Sequence, residues 1–132
     1  MSNQQRVIKF RGKRKDNGEW VYGNLVDREK PFIVGRMIES NEEYCNLDWW
    51  HPVLPETVGE FSGLHDKNGK EIWEGDLIRD GGGWTWEVSF SNGKFYLLSR
   101  EKDLRPDMDI NTGLSYCQVL GNVHENKEPL NA

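Results

Sequence analysis

The chain has 132 residues, a net charge of −5 and a hydrophobic fraction of 36%, with mean hydropathy −0.80. That length fits one domain, or two small subdomains sharing a core, and it buries enough surface to fold without metal or disulfide staples. The composition holds nothing near the ~20 consecutive apolar residues of a membrane span, and the overall acidity argues against wholesale binding of a phosphate backbone.

The start, MSNQQRVIKFRGK, lacks the apolar run of about 7–15 residues that a secretory signal requires. We read a cytosolic protein, in which Cys45 and Cys117 are free thiols. Residues 7–11 alternate apolar and basic side chains and predict a first strand. Residues 12–18 form a polar turn ending in Asn17-Gly18. Residues 19–26 predict the partner strand, with Gly23 at a bulge or a close backbone approach. Phe32-Ile33-Val34 is a third strand. Residues 40–48 carry no clear pattern: a short helix capped by Ser40, or a loop, fits equally. Trp49-Trp50-His51-Pro52 is an aromatic cluster ended by proline, and Pro52 and Pro55 keep Val53-Leu54 extended and off a central strand.

Residues 57–78, TVGEFSGLHDKNGKEIWEGDLI, hold the strongest turn chemistry. Asn68-Gly69 fits a type I′ hairpin tip, because both residue types tolerate positive φ. The stretch echoes an earlier one. Phe10, Gly12, Asn17 and Gly18 match Phe61, Gly63, Asn68 and Gly69, each 51 positions on. Two degenerate copies of a hairpin obeying the same turn rules account for this as well as a repeat does. Farther on, Trp84, Trp86, Val88 and Phe90 alternate with Thr85, Glu87 and Ser89, the period of a half-buried strand. Asn92-Gly93 is a third hairpin tip, returning through residues 94–99. Residues 101–115 read as a long polar loop, residues 116–123 as a closing strand and residues 125–132 as a loose tail. Six Trp, five Phe and four Tyr are heavy for this hydrophobic fraction and predict an aromatic core.

Four segments in order, IKFRGK (8–13), NGEWVYG (17–23), TVGEFSGLHDKNGKEIWEGD (57–76) and VLGNVHEN (119–126), make the chain resemble the YopX family of bacteriophage and prophage proteins. The resemblance implies a phage origin, hence the host bacterial cytosol, and a mainly β fold. It implies no activity and no site residues. With the residue pattern it gives an all-β expectation. Residues 56–132 form a small SH3-like or related half-open barrel, residues 1–55 add an N-terminal β-hairpin layer, and helix is limited to short turns.

No nucleophile, metal or nucleotide fingerprint is present. His51, His65 and His124 have no second ligand at metal spacing, and no cofactor is implied. Asp66, Glu74, Asp76 and Asp80 crowd one region without the calcium-loop pattern, and we read them as solvated turn residues. Charge is unevenly spread: residues 1–40 hold nine Lys/Arg against five Asp/Glu, and residues 41–132 eight against seventeen. The run Lys9, Arg11, Lys13, Arg14 and Lys15, facing Trp20 and Tyr22 across a hairpin, is the candidate surface for nucleic acid or a protein partner. Its alternative is a solvated hairpin whose cations suppress edge pairing. Tyr44, Trp49 and Trp50 are the candidate contact for self-association. The favoured reading is a non-enzymatic β-rich interaction module with a protein partner or a second copy of itself. A weak nucleic-acid-binding barrel and a small enzyme with a site hidden from sequence are the alternatives.

Overall fold

The computed structural model describes residues 7–100, 108–110 and 116–125. The readings for most of residues 101–115 and for the tail from 126 lie outside the described residues. The fold is all-β, with one 3₁₀ turn at Pro55–Thr57 and no α-helix among the described residues. Two antiparallel sheets carry it, and neither closes into a barrel. The chain divides into two compact units, residues 1–61 and 62–132.

The first unit is built on two consecutive hairpins, β1 (Phe10–Lys13) with β2 (Trp20–Val26) and β3 (Phe32–Ser40) with β4 (Cys45–Pro52). The six-stranded sheet has the order β4-β3-β2-β1-β5-β6, where β5 is Gly59–His65 and β6 Glu71–Trp73. β4 is therefore an edge strand. The stretch read as a helix or loop instead completes β3, turns at residues 41–44 and enters β4. Asn41 supplies the turn: its side-chain oxygen accepts from the backbone N–H of Glu43 at 2.7 Å and of Tyr44 at 3.1 Å. Ile33 and Val53 are fully buried here, with Val34 and Phe61 nearly so.

The second unit holds the five-stranded sheet β10-β9-β8-β7-β11, with β7 at Asp76–Arg79, β8 at Thr85–Ser91, β9 at Lys94–Ser99, β10 at Met108–Asp109 and β11 at Gln118–Asn122. Its core joins Ile72, Ile78, Trp86, Val88, Leu97, Ile110, Cys117 and Val119. The alternation on β8 holds at its centre, where Trp86 is 2% exposed and Val88 fully buried. It fails at both ends. Thr85 is buried, while Phe90 is 45% exposed and packs edge-on against Phe95, directly across the hairpin. β10 adds a short strand inside what reads as a loop, pairing Met108 with Leu97.

All three Asn-Gly tips are turns with the glycine at positive φ: 74° at Gly18, 80° at Gly69 and 80° at Gly93. Asn92 alone of the three asparagines is also positive, at 52°, so the type I′ turn occurs only there. At the other tips a side chain replaces the second left-handed residue. Asn17 accepts from the Glu19 N–H at 2.9 Å, and Asp66 accepts from the Asn68 and Lys70 N–H groups at 2.8 and 2.9 Å.

Candidate functional site

Register decides which side chains share a face, because successive residues of a strand point to opposite sides. Arg11 lies opposite Tyr22 and Lys13 opposite Trp20. Asn24 pairs with Val34, Val26 with Phe32, and Val34 with Trp50. One face of the first unit's sheet therefore carries Trp50 on β4, Phe32 and Val34 on β3, Trp20 and Tyr22 on β2, and Arg11 and Lys13 on β1. Lys9, just before β1, continues the row, and its ammonium sits 4.8 Å over the Phe61 ring.

Exposure along this row is uneven. Trp50 is 58% exposed and Tyr22 49%, whereas Trp20 and Phe32 are half-buried. Arg11, expected at the surface, is only 5% exposed. Its guanidinium carbon stands 4.8 Å over the Trp20 ring, so the cation is drawn into the aromatic row by the ring's negative face. Lys9 and Lys13 are half-buried. Lys13 is anchored through its backbone: its N–H donates to Thr57 Oγ1 at 2.9 Å and its carbonyl accepts from Leu54 at 2.9 Å.

The hairpin tip behaves differently. Arg14 forks onto Asp16 at 2.6 and 2.9 Å, and this hydrogen-bonded pair raises the arginine pKa and holds the aspartate below the usual carboxylate range. Arg14 therefore has an ionic partner of its own, while Lys15 is exposed.

Tyr44, Trp49 and Trp50 do not form one cluster. Tyr44 sits in the β3–β4 turn, 47% exposed. Trp49 takes the opposite face from Trp50, stacks on His51 at 5.3 Å and lies across Gly35. A Cβ at Gly35 would fall inside the Trp49 ring, so only glycine fits there. Trp50 instead packs against Phe32, ring centroids 5.4 Å apart. Asp48 is exposed on the Trp50 side of β4.

The carboxylates read as solvated turn groups are largely structural. Asp66 is 7% exposed and Asp76 2%. Asp66 Oδ2 accepts from the Val119 N–H at 2.9 Å, tying the β5–β6 tip to β11. Asp76 accepts from the Trp73 N–H at 2.8 Å. Asp80 accepts from the N–H groups of Gly82 and Trp84 and from the Trp86 indole at 2.9 Å. For the turn bonds of Asp66 and Asp80 the signal is local: an Asp two residues before Asn-Gly or Gly-Gly favours a side-chain-closed turn. Among the described residues no group of three or more His, Cys, Asp or Glu is placed to hold a metal ion, and no helix is long and apolar enough to cross a membrane. Cys45 is exposed and Cys117 buried, both as free thiols.

Comparison with known proteins gives a family and a fold. The family described as "YopX protein" matches residues 9–131. No functionally curated protein matches the chain. The crystal structure of protein EF1440 from Enterococcus faecalis is similar with a TM-score of 0.64 and 21% identity, over 96% of this chain and 100% of that one.

Proposed function

The chain belongs to the YopX family, and from that premise we propose that it is a phage or prophage accessory protein working in the host bacterial cytosol as a non-enzymatic, β-rich interaction module. The observation that carries this reading is the face just described. Two large aromatic side chains, Tyr22 and Trp50, stand about half exposed on one side of a sheet that also carries Trp20, Phe32, Lys9 and Lys13 on that side. A folded chain gains nothing by leaving such rings in water, and aromatic side chains are enriched where partners bind. Lys9, Arg11 and Lys13 give the same face its positive charge.

A second copy of the chain is the other reading, favoured by the position of β4. It is an eight-residue edge strand that begins just after the exposed Tyr44 and presents Trp50. Edge strands are templates for pairing.

The test is site-specific photo-crosslinking in the bacterial host, with a benzophenone amino acid at position 22 or 50 and, as control, at the exposed Lys67. Adducts at 22 and 50, lost when Lys9 and Lys13 are both changed to Glu, are expected. Adducts no more abundant than at 67 overturn the reading.

A further inference from the structure

Resting on the reading of this face as the binding surface, we infer that its ligand is single-stranded nucleic acid, seated with its phosphates along β1 and its bases over β2 to β4. The charge layout orients it. Lys9 and Lys13 flank β1, with Arg11 buried between them on the Trp20 ring, and the rings follow on the next strands: Trp20 and Tyr22, then Phe32, then Trp50.

The spacing suits stacking. Tyr22 and Trp50 are two strands apart and offset by one residue pair, roughly 12 Å from the usual strand separation and rise. Each ring keeps about half its surface open, 49% for Tyr22 and 58% for Trp50. Stacking of bases on aromatics beside a cationic track is tolerant of sequence, because every base has a π-face. The cations are held close to that track: the Arg11 and Lys9 charges each lie 4.8 Å above a ring of the same face.

Two features favour this ligand over others. Lysine is depleted from the centres of protein–protein interfaces, yet Lys13 stands directly across from Trp20. Duplex DNA is read by an element that enters a groove. The hairpin tip that protrudes from this sheet carries Asp16 and Glu19 with Arg14 and Lys15, and Arg14 is paired to Asp16, so its charge is largely cancelled.

The test is fluorescence anisotropy at low salt with a labelled oligo-dT strand of about twelve nucleotides, and with the same strand as a duplex. Expected is micromolar binding of the strand, clearly weaker binding of the duplex, and a log–log salt slope of about −1.4 from Lys9 and Lys13. Tyr22→Ala and Trp50→Ala should each weaken binding about fivefold or more at unchanged melting temperature, and Lys67→Ala should leave it unchanged. No anisotropy change up to about 100 μM folded protein, equal affinity for duplex, or unaltered binding by both aromatic variants overturns the inference. The underlying reading fails separately: protein adducts from position 22 or 50 with silent anisotropy keep the binding face and remove nucleic acid, whereas absence of any adduct removes the face itself.

Discussion

Asp66→Ala should be among the most damaging single changes outside the apolar core. The carboxylate is 7% exposed and accepts three backbone N–H groups, from Asn68 at 2.8 Å, Lys70 at 2.9 Å and Val119 at 2.9 Å. Alanine leaves all three without this acceptor. Asn68 and Lys70 are exposed and rehydrate, so each loss costs about 0.5–1.5 kcal/mol, whereas the Val119 N–H belongs to a residue 8% exposed and costs about 1–3 kcal/mol. The sum, about 2–6 kcal/mol, is a large part of a typical domain stability. The assay is urea denaturation followed by tryptophan fluorescence. Acidity supplies a second readout. Burial pushes the Asp66 carboxyl up, but the bonds from Val119, Lys70 and Asn68 together outweigh it and hold the group below its ordinary value. A depressed folded pKa means the unfolded chain binds more protons in mild acid. The stabilisation is thus full above the unfolded value near 4 and is lost as pH falls through the folded value. The gap between wild type and Asp66→Ala should therefore narrow below about pH 4. A cost under about 1 kcal/mol, or a gap independent of pH, would refute the reasoning.

Trp86→Ala should cost about 3–5 kcal/mol, and Trp86→Phe about 1 kcal/mol through loss of the indole bond to Asp80; thermal melts distinguish the two. A thiol reagent should label Cys45 in the native protein and Cys117 only after denaturation, since burial pushes the Cys117 thiol up and seals it in the core; native labelling of both would contradict the described packing. If a second copy covers β4, light scattering at micromolar concentration should give a dimer that Trp50→Ala converts to monomer. A monomeric wild type removes that reading.

What was legible in the sequence was mostly local. The alternation of Trp86 and Val88 marks a strand with one buried side, and the glycines of the Asn-Gly pairs sit at positive φ as hairpin tips demand. Phe90 continues the same alternation but escapes burial because it lies at the turn end of the β8–β9 hairpin, two residues before Asn92-Gly93 and outside the core cluster. β4 was missed because its pattern, CNLDWWHP, makes sense only against β3, with Gly35 leaving room for Trp49. The basic hairpin was visible because β1 and β2 are neighbours in sequence. That Trp50 joins its face, while Trp49 leaves it, follows from the registers of β2, β3 and β4 and from nothing within the Trp-Trp pair. Arg11 was expected outside because isolated arginines face water, and the ring of Trp20 changes that outcome. Asp66 was read as a solvated turn residue because its bond to Val119 spans 53 positions.

The central claim, that one face of the first sheet binds single-stranded nucleic acid, is tested most directly by the indole N–H spectrum of the six tryptophans. The protein is labelled with ¹⁵N and titrated with the oligo-dT strand. The account predicts that the Trp20 and Trp50 resonances shift together and saturably, while Trp86, buried in the second unit and bonded to Asp80, stays fixed. Shifts confined to Trp84 and Trp86, or a spectrum unchanged throughout the titration, would contradict it.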